Sequence, residues 1–171
     1  IKVIYTGNID LLASLSNNAD TDNIIVDVEL FPSYFIFKDT TWNLPHSYMH
    51  IDSSSVKIDS FSINYLNQNF LVSGTISENK EDRLNLLVEN FQISLLNVFS
   101  NSEKLYFEGQ TTGIASLSSA YSSPILMADL SLNDFEINNE KLGNASIQAS
   151  WDNASNSVRI LANSIKGSSK V

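Results

Sequence analysis

Three stretches of this chain share one pattern, apolar-x-apolar-x-x-Phe-x-Ile, and that pattern restricts the fold more than any other feature. They are Val56-Lys57-Ile58-Asp59-Ser60-Phe61-Ser62-Ile63, Leu86-Leu87-Val88-Glu89-Asn90-Phe91-Gln92-Ile93 and Leu130-Ser131-Leu132-Asn133-Asp134-Phe135-Glu136-Ile137. Each half alternates with the period of two that a β-strand imposes. Between the halves stands a polar pair, which holds one residue too many for unbroken alternation. Phe would then point to the wrong face, so the pattern predicts two alternating strands joined at a bulge or tight bend that keeps the apolar side facing one way.

The rest of the chain reads in the same way. Leu84, Leu86 and Val88 alternate with polar neighbours, as do Leu105 with Phe107, and Ala145, Ile147, Ala149 and Trp151. Strand-like segments carrying a glycine follow the first two repeats, Phe70-Leu-Val72-Ser-Gly74 and Leu105-Tyr-Phe107-Glu-Gly109, and Val3-Ile-Tyr5-Thr-Gly7 has the same look. Glycine within a strand marks a bend or the close approach of another backbone. The repeats start 30 and then 44 residues apart, so the prediction is a meander built from a recurrent two-strand unit and not a strict solenoid. Ser94–Asn101 reads as a short helix, and Leu11–Asn18 as a weaker second one. With 3 prolines and 6 glycines in 171 residues, nothing separates domains, and residues 1–171 read as a single β-rich segment.

Composition narrows the chemistry. Apolar residues make up 43%, enough for a core, while charged residues are only 17% against roughly a quarter in average proteins. Uncharged Ser (27) and Asn (20) supply the missing polarity. The net charge of −9 argues against nucleic acid as a partner and against electrostatic attachment to a membrane surface. The absence of cysteine removes disulfide scaffolds, thiolate zinc sites and cysteine nucleophiles. His46 and His50 would align with Tyr48 on a strand, but no carboxylate lies within the motif, and a solvent-exposed or structurally bonded pair is the better reading than a metal site. Asp20-Thr-Asp22-Asn23 lacks the glycine and closing glutamate of a calcium loop and reads as an Asx-rich turn. Asn144-Ala-Ser146 and Asn153-Ala-Ser155 match a glycosylation sequon, as expected by chance in so Asn- and Ser-rich a chain. No nucleophile elbow, phosphate loop or dinucleotide fingerprint occurs. The sequence predicts neither catalytic residues, nor a cofactor, nor a metal.

What remains is a long apolar face. Alternation assigns to it Val56, Ile58, Phe61, Ile63, Phe70, Val72, Leu84, Leu86, Val88, Phe91, Ile93, Leu105, Phe107, Leu130, Leu132, Phe135, Ile137, Ala145, Ile147 and Trp151. Such a face serves a two-sheet sandwich packed against itself or an open, curled sheet that holds something greasy, and alternation alone leaves both open.

From Ser54 to Ile160 the order of motifs resembles TamB-like proteins of double-membrane bacteria, within the AsmA-like group. The series runs VKIDSFSI, FLVSGTIS, EDRLNLLVENFQISLLN, LYFEGQTTGIASL, SSPILMADLSLNDFEINNEKLG and ASIQASWDNASNSVRI. The resemblance implies an elongated, taco-like curled antiparallel sheet in the periplasm, belonging to a parent anchored in the inner membrane. It implies no catalytic residues. It also implies that the apolar residues form a groove for phospholipid acyl chains passing between the two membranes, or assist outer-membrane protein assembly with a TamA- or BamA-like barrel protein. The start at Ile1 fits a middle fragment of such a chain. Raw sheet edges would let the fragment dimerise. The rival expectation is a secreted or surface β-sandwich module that binds glycan or protein.

Overall fold

The structure, a computed structural model, describes residues 6–17, 23–37, 39–98, 105–121, 124–152, 154–155 and 157–165. These residues form one open antiparallel sheet of thirteen strands. In chain order they are β1 (Thr6–Asn8), β2 (Leu11–Asn17), β3 (Ile24–Leu30), β4 (Ser33–Phe37), β5 (Thr40–Leu44), β6 (Ser47–Ile51), β7 (Ser55–Tyr65), β8 (Gln68–Ser77), β9 (Arg83–Gln92), β10 (Phe107–Ser118), β11 (Ile125–Ile137), β12 (Glu140–Asp152) and β13 (Ser157–Ile165). A single 3-10 helix, Ile93–Val98, follows β9.

The sheet forks at β7, which pairs with β8 along one edge and with both β5 and β6 along the other. The fork is only an interruption in a simpler order. β3 and β4 pair with β6 and β5 in one continuous register, Leu30 opposite Ser47 and Ser33 opposite Leu44. That register sets Pro32 across from Pro45. Neither has an N–H to give, so the ladder breaks there on both strands at once. Counting β1–β2, β3–β4 and β5–β6 as single broken rows, the described residues form an up-and-down meander of ten rows, about 43 Å measured along the sheet at about 4.8 Å per step. The first third of the chain therefore belongs to the same sheet as the repeats.

Each predicted phase shift is a β-bulge. The register slips by one residue between Ile58 and Phe61 on β7, between Val88 and Phe91 on β9, and between Leu132 and Phe135 on β11. Asn90 (φ 48°) and Asp134 (φ 49°) take the left-handed conformation that short Asx side chains tolerate best after glycine. Asn90 is held there by its N–H donating to Thr112 Oγ1 at 2.9 Å. Glycine faces the first two bulges: Gly74 pairs with Ile58 and Gly113 with Val88. A Cβ on Gly74 would lie 2.0 Å from the Arg83 carbonyl oxygen, and one on Gly113 2.1 Å from that of Asp129.

Three expectations need correction. Each repeat, save for Ile93 at the end of the second, lies on one long strand running through its bulge, and not on two strands joined at a corner. Leu11–Asn17 is β2 and not a helix: Leu11, Ala13 and Leu15 alternate and pair with Leu30, Val28 and Val26, and the ladder to β3 satisfies more backbone than two helical turns could. The predicted helix at Ser94–Asn101 forms as the 3-10 turn, one residue earlier at its start, and its last residues lie outside those described.

Because directly paired residues share a face, the registers define two surfaces. The apolar face carries Leu11, Ala13 and Leu15 in the first row, runs through Met49, Ile51, Val56 and Ile58 in the middle, and ends on Val158, Ile160 and Ala162. The opposite face is mainly Ser, Asn, Thr and charged residues. No second layer covers the apolar face among the described residues, yet Trp42 keeps only 3% of its surface exposed and Val88 4%. Curling of the sheet accounts for this. Trp42 and Phe91 lie on rows three lateral steps apart, about 14 Å in a flat sheet, and their rings are 5.6 Å apart.

Candidate functional site

Among the described residues the most extended feature that the fold builds is the trough on the apolar face. Strand register places eighteen of the twenty residues assigned by alternation on that face: Val56, Ile58, Phe61 and Ile63 on β7, Phe70 and Val72 on β8, Leu84, Leu86, Val88 and Phe91 on β9, Phe107 on β10, Leu130, Leu132, Phe135 and Ile137 on β11, and Ala145, Ile147 and Trp151 on β12. Ile93 is buried but opens the 3-10 helix. Leu105 departs from expectation: it precedes β10 and is 45% exposed.

The trough is not uniform. At one end Phe37, Trp42, Val88 and Phe91 are buried together, with Phe35, Ile63, Tyr65, Phe70, Leu86 and Leu95 packed around them. Ring centroids there lie 5.5–6.4 Å apart, and Trp42 touches Phe35, Tyr65 and Phe91. The bulge at Asn90 makes this possible, since without it Phe91 would point out of the opposite face. This end is filled by protein.

Towards β13 the floor is lower. Ala115, Ala128 and Ala149 form one cross-strand row, and Gly113 stands beside Leu130 in the next. Leu117, Leu126, Leu130, Ile147 and Trp151 border them half-buried, and Ile160 at the rim is exposed. An apolar surface of this width, bordered by branched side chains and floored by alanines, can shelter an alkyl chain with no specific polar contact.

Sequence reasoning missed Trp42, the centre of the filled end. The signal was present: Thr40, Trp42 and Leu44 alternate with Thr41 and Asn43, and Phe35 and Phe37 flank Ile36. The breaks at Pro32 and Pro45 cut these runs to five residues each.

The opposite face carries two clusters. His46, Tyr48 and His50 align as expected of a strand and meet carboxylates from β3 and from the turn after β6. His46 Nε2 lies 2.8 Å from Glu29 Oε1, and His50 Nδ1 2.7 Å from Asp27 Oδ1. The Tyr48 hydroxyl donates to Asp27, which lowers the Asp27 pKa, with His50 adding to the effect, and raises that of Tyr48. Among the described residues no group of three or more His, Asp or Glu is arranged to hold a metal ion. These are structurally bonded side chains on a wet surface. The second cluster is an apolar island, Leu71, Leu87 and Ile114 in one row with Met127 beside them, in a hollow of about 640 Å³ that Arg83 and Asp129 also line. Asp20 and Asp22 lie outside the described residues.

Fold and site together define a class: an open, single-layer antiparallel sheet, curled about one continuous apolar face. Comparison with protein-family models, with curated proteins and with solved structures found no match for this chain.

Proposed function

We propose that this chain is a section of lipid conduit in a bacterial envelope: a non-enzymatic, TamB-like segment whose apolar trough shelters phospholipid acyl chains between the inner and outer membranes. The observation that carries the reading is continuity. One face stays apolar across all ten rows although the strands are bulged and two rows are broken at proline. A sealed core needs no such continuity up to both edges, and a two-sheet sandwich would need a second sheet that the described residues do not form. Each methylene taken from water contributes about 0.8 kcal/mol, so a trough lowers the barrier to moving acyl chains without binding any headgroup tightly. Acyl chains would lie over the alanine-floored end, β10 to β13, since the Trp42 end is occupied by its own side chains. Assistance to outer-membrane protein assembly, with a TamA- or BamA-like partner, is the second role that this reading carries.

The test is photocrosslinking to vesicles of phosphatidylethanolamine and phosphatidylglycerol. A benzophenone side chain replaces Phe135 or Ile147 in the trough, and Gln148 on the other face as control. Phospholipid adducts at the two trough positions, at least tenfold above the control, are expected. Equal labelling at all three, or none with the protein folded, would overturn the proposal.

A further inference from the structure

We infer that a small hollow beside Trp42 takes the ester carbonyl of an acyl lipid, so that the trough reads one uncharged group of its cargo. The starting observation is Trp42 itself. It is 3% exposed, and its indole Nε1 is buried with no hydrogen-bond partner. A buried indole N–H usually finds an acceptor, because one left unmet forfeits the hydrogen bond that water gave it. Trp42 also lines a hollow of about 120 Å³, together with Tyr65 and Gln68 from the β7–β8 hairpin and Gln92, Ser94 and Leu95 from the end of β9 and the 3-10 helix. The hollow is on the trough side of the sheet. Trp42 pairs with Phe35, and Tyr65 and Gln68 pair with each other, two residues beyond the pair of Ile63 and Phe70.

The polar lining is weighted towards donors. The Gln68 Oε1 is already in use, accepting the Gln92 N–H at 3.1 Å, which leaves the Gln68 amide nitrogen to donate. The Trp42 N–H can only donate, and the Tyr65 and Ser94 hydroxyls can do so as well. No charged side chain lines the hollow. These facts fix the occupant. Donors call for an oxygen acceptor. With no countercharge, a phosphate, carboxylate or ammonium group would lose its hydration and gain nothing comparable. At about 120 Å³ the hollow is also far smaller than the roughly 300–1,000 Å³ that houses a whole ligand, so it admits one functional group of a molecule whose bulk lies elsewhere. An ester carbonyl on an alkyl chain meets all three conditions. The inference rests on the conduit reading and adds a stopping point to it: the chain lies along the trough towards the alanine floor, its ester end meets the donors where the filled end begins, and the charged headgroup stays in water. Such a site distinguishes lipids by their linkage and not by their headgroup.

Two water-soluble probes test this, dihexanoyl phosphatidylcholine and its dihexyl ether analogue, which keeps the headgroup and has no carbonyl. The nitrogen–proton NMR signal of the Trp42 indole, assigned by its loss in Trp42→Phe, is followed as each is added to the full chain. The diester should move that signal to lower field and bind about fivefold or more tightly than the diether, the worth of one hydrogen bond. Trp42→Phe, which keeps a ring at the centre of the cluster, should lose that preference, and Gln68→Leu should weaken it. The comparison of ester with ether on the unaltered chain decides the matter even if a variant unfolds. Equal binding of the two probes would overturn the inference, and so would diester binding that leaves the indole signal in place, since the hollow would then hold water alone. Either result leaves the conduit reading standing, because the chains still bind. Binding of neither probe would overturn both.

Discussion

Replacing Trp42 by alanine tests whether the sheet is curled. In a flat single-layer sheet Trp42 would stand in water on one side, and its truncation would cost little, within about 0.5–1 kcal/mol. In the curled sheet Trp42 is 3% exposed and meets Phe35, Tyr65 and Phe91 at ring separations of 6.4, 5.7 and 5.6 Å. Removing a tryptophan buried to that degree costs about 3–5 kcal/mol, a large share of the roughly 5–15 kcal/mol that holds a domain folded. With a urea dependence of about 2 kcal/mol per molar, the midpoint of unfolding should fall by about 2 M. Far-UV circular dichroism reports the transition in both proteins, and the fluorescence of Trp151, the other tryptophan, gives a second probe. A double-mutant cycle with Phe91→Ala sharpens the test, because rings in contact couple by about 0.5–1.5 kcal/mol while side chains some 14 Å apart do not couple. A loss below 1 kcal/mol, or a cycle that closes at zero, would refute the curled geometry and the trough with it.

Gly74→Ala should destabilise by more than about 2 kcal/mol in urea unfolding, because the new Cβ meets the Arg83 carbonyl oxygen at 2.0 Å and the backbone sits at φ 115°. Asn90→Gly should be neutral or slightly stabilising at the bulge, while Asn90→Val should cost about 1–2 kcal/mol, since a β-branched residue resists φ 48°. Leu66, 85% exposed at φ 52° in the β7–β8 hairpin, should gain about 1 kcal/mol as Leu66→Asn, read as a higher melting temperature. The Ser54 N–H and hydroxyl and the Ser55 hydroxyl hold Asp52 at a pKa of about 2, below its ordinary 3.8. Its folded pKa is the lower one, so this contribution to stability is complete above about pH 4 and disappears as pH falls through 2. An NMR titration should give that midpoint, and Asp52→Asn should flatten the acid limb of stability against pH; a midpoint near 3.9 would contradict the turn geometry.

Much of this was legible because strand alternation is local. Phe61, Phe91 and Phe135 could be placed on the apolar side by parity alone, and the extra polar residue before each announced its bulge. Leu11–Asn17 was misread because seven residues with three leucines fit a helical stripe as readily as a strand, and only the ladder to Ile24–Leu30, a non-local fact, decides between them. Trp42 was overlooked because its partner Phe91 is 49 positions away in sequence and three rows away in space; no period links them. The island of Leu71, Leu87, Ile114 and Met127 was hidden for a related reason. Leu71, Leu87 and Met127 each sit beside an apolar residue of the other face, as in Phe70-Leu71-Val72, so alternation is locally saturated. Which neighbour faced inward was visible only once the rows were aligned.

The bulges also give this chain something like a reading frame. Along a bulged strand the apolar face is read on one parity before the polar pair and on the other parity after it, and the two halves agree only because one residue has been added. A deletion of Asn90 alone would therefore exchange inside for outside for everything between it and the end of β9, Phe91 included. A second, compensating change nearby would restore the frame. Single-residue gains and losses within strands should thus be tolerated only in pairs, or in the turns, where parity resets. Whole hairpins are different: adding or removing two rows leaves the frame of every other row intact. Lineages that lengthen or shorten such a trough should do so by strand pairs, in steps of about 9–10 Å, and hardly ever by stretching the strands themselves.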